Sequence, residues 1–200
     1  MEHALDLSAM RLSVGIHTDR DEGVCLLEAV AWWANEPHTH RPQCVCSVLA
    51  QLCEELNDAM PDDERSNLVP LIPRLAGSRS GTEVEWRRAF LLADYALRER
   101  HALTLEYWGY EDQALELLEL APVTDQTTAE AVAAVLARQA HSFPDKHRFW
   151  FGDQPAWTAQ AALKATNPAS LAATVSEMIV TGGYPWADVV ALIERACAID

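Results

Sequence analysis

Lysine is almost missing from this chain. Only Lys146 and Lys164 occur among its 200 residues, and arginine supplies the remaining positive charges against 30 acidic residues, for a formal net charge of −15. So negative a protein repels phosphate backbones and anionic membrane surfaces, which argues against ordinary nucleic-acid binding. Basic protein partners, metal ions and acidic mimicry of DNA remain as classes, with solubility as the plain reading of most of the charge. Mimicry asks for carboxylates in rows on one face, whereas Arg65, Arg87, Arg88, Arg98 and Arg100 interrupt the acids. Arginine in place of lysine, together with abundant alanine, points to a GC-rich genome.

Long apolar runs are missing too. No stretch approaches the roughly 18 uninterrupted apolar residues of a membrane span, so no membrane association is expected. The segment from Met1 to Met10 has neither the cationic start nor the apolar core of a signal peptide. The 5 cysteines are an odd number, set in or beside apolar stretches instead of pacing a loop-rich scaffold, which predicts reduced thiols and a cytoplasmic location. Also absent are a glycine-rich phosphate loop, a dinucleotide fingerprint, a nucleophile-elbow serine and a zincin pair of histidines.

What is present is helical periodicity. Half the residues are hydrophobic and 22% charged, a globular balance in a chain long enough to bury a core without disulfide or metal. Asp21 and Glu22 open an almost wholly apolar helix ending at Trp33, and a connector from Glu36 to Cys46 comes next. Ser47 reads as the N-cap of a helix carrying Leu49, Leu52, Cys53 and Leu56 on one face. Pro61 to Glu64 has the proline and acids of a helix start, and Pro70 and Pro73 break the next stretch into short turns. Thr82 and Glu85 have capping-box spacing ahead of the longest helix, with Trp86, Ala89, Phe90, Ala93, Leu97 and Leu103 on one side.

Gly109 ends that helix. Further helices are predicted over 111–120, after an Asp125 or Thr127 cap, and over 157–166, 168–180 and 185–199, the last two separated by Thr181-Gly182-Gly183-Tyr184. Residues 141–155 are expected to be irregular and aromatic. With no alternating strand, the expected fold is all-α, a single-domain bundle of about eight helices with short connectors, any weak boundary falling near 141–155.

Gly23-Val24-Cys25-Leu26-Leu27-Glu28-Ala29-Val30, Asn35-Glu36-Pro37-His38, Pro42, Cys44 and Asn57-Asp58 form a recognisable pattern. Leu71-Ile72-Pro73 with Gly77, Arg87-Arg88-Ala89 with Ala93-Asp94, and Ala191 to Arg195 extend it. The pattern resembles an uncharacterised helical protein family of actinobacteria and their bacteriophages, closely over the first hundred residues and loosely at the tail. The resemblance implies a phage or actinobacterial setting and carries no activity. It also implies an acidic residue at position 40 and no cysteine at position 46, from which this chain departs.

The sharpest chemical cluster is the connector, with His38-Thr39-His40 and Cys44-Val45-Cys46. In extended backbone, residues two apart point to one side, and two imidazoles with two thiolates suit tetrahedral Zn²⁺. Glu36 stands near enough to be a fifth donor or to orient a ligand. Against this, structural zinc sites space their cysteines more widely, and a helix starting before Cys44 would turn the pair about 200° apart. The structural alternative is an exposed histidine pair beside two small buried thiols. His38, His40, Cys44 and Cys46 are thus the metal candidates, and the cofactor expectation is none or Zn²⁺.

Glu28 is the second feature. Its helical neighbours Val24, Cys25, Ala31 and Trp32 place a carboxylate in apolar surroundings, where it needs a partner or a raised pKa. Arg87 or Arg88 is expected to be that partner, with Asp94 joining, either as an ion pair fixing helix docking or as an acid/base site of Glu28, Arg88 and Asp94. Asp94 and Arg98 have the spacing of a stabilising helical pair. Asn57-Asp58 before Pro61-Asp62-Asp63 reads as a helix boundary, lacking the spaced ligands of a calcium loop. His147-Arg148-Phe149-Trp150 has a base-stacking composition, but with Tyr107, Trp108 and Tyr110 it reads as an aromatic plug at one end of the bundle. Cys25, placed mid-helix among apolar residues, reads as inert and not as a nucleophile served by His38.

Three functions are compatible with these residues. The first is a non-enzymatic protein-binding or regulatory accessory module with a protein partner, from the acidic surface, the missing motifs and the resemblance. The second is a zinc-binding protein using the 38–46 connector. The third is an enzyme using Glu28, Arg88 and Asp94.

Overall fold

Helix α1 (Leu26–Trp33) starts later than the apolar run suggests, and the reason is local. Asp19 accepts the backbone N–H groups of Asp21 and Glu22 and closes a turn there. Gly23 then sits at φ +141°, a conformation that L side chains rarely adopt. Cys25 is therefore the N-cap and not a mid-helix residue: its sulfur accepts the Glu28 N–H while the Glu28 carboxylate takes the Cys25 N–H, a capping box with a thiol in place of the usual hydroxyl. The computed structural model describes residues 6–183 and 185–200. The first half of the Met1 to Met10 segment and Tyr184 lie outside them.

The chain continues through α2 (Ser47–Ala59), α3 (Asp62–Arg65), a 3₁₀ turn (Ser66–Leu71), α4 (Ile72–Leu75) and α5 (Thr82–Asp94). Ser47 is the first helical residue and Cys46 the N-cap; the Ser47 hydroxyl donates instead to Glu85. A π-helical segment (Tyr95–Arg100) joins α5 directly to α6 (His101–Tyr107). Its wider turn shifts the helical phase, so the face carrying Ala89, Ala93 and Leu97 does not continue to Leu103, which is 46% exposed. His101, Ala102 and Leu105 are buried in its place. At Gly109 (φ +80°) the chain leaves the helix as expected, with Tyr110 N–H returning to Leu105 O.

Next come α7 (Glu111–Leu118), α8 (Gln126–Gln139), α9 (Asp145–Arg148), α10 (Gln154–Ala162), α11 (Pro168–Thr181) and α12 (Trp186–Cys197). Asp125, not Thr127, caps α8, in a box with Thr128. The segment expected to be irregular is helical from residue 145 onward: a second π-helical stretch (Phe149–Asp153) links α9 to α10 without a break. Among the described residues there is no strand, so the all-α class with about eight longer helical runs holds. No helix among them is long and apolar enough to cross a membrane.

The chain forms two compact units, residues up to 85 with 180–200, and residues 86–179. The 141–155 segment lies inside the second unit and divides nothing. In the first unit α1 packs against α2 and α4, and α12 against α4 and the 3₁₀ turn. Leu26, Leu27, Val30, Leu49, Leu52, Leu56, Leu71, Ile72 and Leu75 are all buried there. In the second unit α6 packs on α7, and α10 on α8. Trp108, Tyr110, Phe143, His147 and Phe151 form a cluster of edge-to-face and tilted ring contacts there.

The second π-helical stretch depends on a glycine. A Cβ at Gly152 would stand 2.6 Å from the Ala140 carbonyl oxygen and 2.9 Å from Ala140 Cα. The obstacle is backbone, which cannot move aside as a flexible side chain can. Gly152→Ala should therefore destabilise the protein by about 1–3 kcal/mol, the usual cost of overpacking. A lowered urea midpoint with weakened near-ultraviolet dichroism from the aromatic cluster is the expected record.

Candidate functional site: the loop held by Glu28

The carboxylate of Glu28 is completely buried, and each of its oxygens is taken by protein donors. Oε1 accepts the His17 backbone N–H at 2.9 Å. Oε2 accepts the His17 ring through Nδ1 and the Cys25 N–H, both at 2.8 Å. Burial by itself raises a carboxyl pKa, but the N–H groups of His17 and Cys25 and the His17 imidazole outweigh it and hold Glu28 below the usual carboxylate range. Glu28 is thus ionised at neutral pH. Since a carboxylate only accepts, His17 Nδ1 carries the proton.

His38 completes the arrangement. Its Nε2 lies 3.0 Å from the His17 carbonyl oxygen and donates to it; the same nitrogen is 3.8 Å from Glu28 Oε1, an ion-pair distance and not a hydrogen bond. From the other side, α2 contributes Asn57 and Asp58. Asn57 Oδ1 accepts the Leu26 N–H, the first residue of α1, and Asn57 Nδ2 donates to the Ser13 carbonyl oxygen. Asp58 Oδ1 accepts the Gly15 N–H at 2.8 Å. Ser13 N–H closes the set on Val24 O.

The result is a loop, residues 13–17, whose backbone is bonded at Ser13, Gly15 and His17 while the residues between them face water. Val14 is 56% exposed and Ile16 62%. A Cβ on Gly23 would stand 2.8 Å from His17 Nε2 and 2.9 Å from Ser13 Oγ, so this glycine is needed for space as well as for its positive φ. The neighbouring Cys25 thiol is pushed up to about 12 by burial and by the Glu28 charge, which keeps it protonated and unreactive.

The other expected site residues fall elsewhere. Asp94, in the second unit, accepts Arg98 Nε at 2.6 Å and Arg98 Nη2 at 2.8 Å, and also takes the Val123 N–H. The anticipated Asp94–Arg98 helical pair therefore forms, as a bidentate pair that also fastens the segment before α8. Arg88 is buried in the same unit, whereas Glu28 belongs to the first. The partners expected for Glu28 were arginines; the carboxylate is instead taken up by His17 and Cys25.

The connector does not gather its four metal candidates. A turn at 42–45, with Val45 N–H on Pro42 O, breaks the extended alternation that would align Cys44 with Cys46. His38 points to His17, and His40 lines a recess beside Ile16. Cys44 is half-buried next to Glu36, and burial with the Glu36 bond raises its pKa. Cys46 is buried at the N-cap of α2, its N–H donated to Ser78. Glu36, expected near a metal, accepts the Gln43 and Cys44 N–H groups and closes the turn. Among the described residues no three His, Cys, Asp or Glu side chains are placed to hold a metal ion.

Sequence reasoning does not reach His17 and Ser13. The available signal was Cys25-x-x-Glu28 two residues after Gly23, which has capping-box spacing once cysteine is admitted as an N-cap. No family model, no curated protein and no solved structure matches the chain.

Proposed function

We propose that this chain is a non-enzymatic protein-binding module that docks on a basic protein partner through the 13–17 loop. The observation that carries this reading is the display of Val14 and Ile16. Single exposed aliphatic residues are ordinary on protein surfaces, but these two stand on a loop held by six hydrogen bonds from four parts of the chain. A loop fixed before binding loses little conformational entropy on docking. Charge supports the choice of partner: the first unit contains 18 of the 30 acidic residues and seven of the basic ones, a field that draws in a basic protein and turns away nucleic acid. A cytoplasmic protein of phage or actinobacterial origin is the setting that agrees with the reduced cysteines and the sequence resemblance.

The test is affinity capture from an actinobacterial lysate with the wild-type chain and a Val14→Ser/Ile16→Ser variant. Both substitutions are at exposed positions, so the two proteins should melt within about 0.5 kcal/mol of each other. A basic protein retained by the wild type and lost by the variant is expected. Equal retention by both, or retention of nothing basic, would discard this reading.

A further inference from the structure

The second unit buries only part of its aromatic cluster. Phe143 and Phe151 are inside, yet Tyr107 is 85% exposed, and Trp108, Phe149, Trp150 and Trp157 are between 46% and 61% exposed. Single exposed rings need no explanation, but these adjoin one another. Tyr107 meets Trp108 edge-on with ring centroids 6.0 Å apart, and Trp108 meets His147 at 5.6 Å. One turn on from His147, Trp150 meets Phe149 at 4.9 Å, and Phe149 meets Trp157 at 6.2 Å. The rings form a band from the end of α6 across α9 to α10, all within residues 86–179.

We propose that this band is the interface of a homodimer, in which two copies of the second unit pack face to face about a two-fold axis. The inference concerns a surface other than the 13–17 loop and stands independently of the docking reading.

Charge decides the occupant. At the Tyr107 end, Glu106, Glu111 and Asp112 are exposed, and no lysine or arginine occurs between Arg100 and Arg138. The Trp157 end is the reverse, since both lysines of the chain flank it and both are exposed. Lys146 stands three and four residues before Phe149 and Trp150, a helical neighbour of each. Lys164 follows Trp157 by seven residues, two turns further along. From 146 to 176 the only acid is Asp153. Arg148 lies there too, although Asp145 takes its guanidinium at 3.1 Å.

A band with one acidic and one basic end matches itself when a second copy is turned end for end, as a two-fold axis requires. Each copy then sets its acids against the lysines of the other. A uniformly basic or uniformly acidic partner would be repelled at one end. The net charge of −15 does not prevent pairing, because charges more than about 8 Å apart are largely screened at physiological salt.

Size agrees with a dimer. At about 200 Å² for each aromatic side chain, the exposed parts of the five rings leave roughly 600 Å² to cover, approaching the ~800 Å² per partner of a stable interface. Tyrosine and tryptophan are also the side chains that dominate binding energy at interfaces.

Sedimentation velocity of the full-length chain over micromolar concentrations tests the proposal, with circular dichroism to check that each variant is folded. The wild type should pass from monomer to dimer mass as concentration rises. Trp150→Ser/Trp157→Ser, at exposed positions, should weaken the dimer at least about tenfold. Charge reversal tests the pairing itself. Lys146→Glu/Lys164→Glu turns the basic end acidic, and Glu106→Lys/Asp112→Lys turns the acidic end basic, so each variant alone should be monomeric. Mixed in equal amounts, the two should form a one-to-one dimer, because each acidic end again faces a basic one. A wild type that stays monomeric, a Trp150→Ser/Trp157→Ser protein that dimerises like wild type, or a mixture that forms no dimer would overturn the proposal.

Discussion

Glu28→Ala is expected to destabilise the protein by about 3–5 kcal/mol, the range found when one partner of a buried charged network is removed. The substitution leaves the Cys25 N–H, the His17 N–H and the His17 ring without acceptors in a buried place, and each orphaned donor carries a desolvation penalty. It also removes half of the capping box of α1. Glu28→Gln keeps one carbonyl oxygen and should lose about half as much, because its amide nitrogen meets donors where acceptance is needed. Urea unfolding followed by circular dichroism gives the energies. Hydrogen exchange of the 13–18 amides should accelerate in both variants, well beyond the change elsewhere. A Glu28→Ala protein within about 1 kcal/mol of wild type would show that the loop is held by something other than this carboxylate.

His101 makes stability depend on acidity. Its ring is buried in the second unit, and Nε2 donates to the Phe151 carbonyl at 3.1 Å, within the second π-helical stretch. Burial lowers its pKa from 6.5 to about 4, against a smaller raising effect of that hydrogen bond. Proton counts give the sign. Between those two values the unfolded chain binds a proton at this histidine and the folded chain does not, so stability falls as pH falls. The contribution is complete above pH 6.5 and decreases toward pH 4, where the loss reaches about 3 kcal/mol, at 1.36 kcal/mol for each pKa unit. His101→Gln retains a donor for Phe151 O and does not titrate, so its stability should be nearly flat across this window. Glu28 acts in the same direction but lower, since its shift makes stability fall as pH drops through the carboxylate range. Urea midpoints at half-unit pH steps separate the two. A wild-type slope between pH 6 and 5 equal to that of His101→Gln would remove His101 as its cause.

The stretches legible in the sequence are those governed by close neighbours along the chain. Pro61 ahead of the acids of α3, Gly109 after α6 and Asp125 ahead of α8 all do what capping rules require, because a cap involves atoms three or four residues away. The Asp94–Arg98 pair was readable for the same reason. The late start of α1 is local as well: an apolar run hides the break at Gly23, and cysteine is not among the usual N-caps.

Other features had no local signature. Two π-helical stretches shift the phase of the longest helix and make residues 149–153 helical. Periodicity assumes a constant turn and cannot register one wider turn, which is why it puts Leu103 inside and makes residues 141–155 irregular. The chain's division at 85/86 and 179/180 falls inside α5 and α11, where composition does not change.

Helix content, the lack of a spanning helix among the described residues and several caps are set by residue order alone, since each is decided within one or two turns of chain. The site was decided by packing. Glu28 meets His17 across 11 residues and Asn57 meets Ser13 across 44, and a histidine or asparagine gives no sign in sequence of which distant backbone group it will satisfy. The same buried carboxylate was compatible with an arginine partner, an acid/base role or a structural latch. Tertiary structure gave it His17 and Cys25 in place of an arginine, because folding brought the N–H groups of residues 17 and 25 to its oxygens and left Val14 and Ile16 in water.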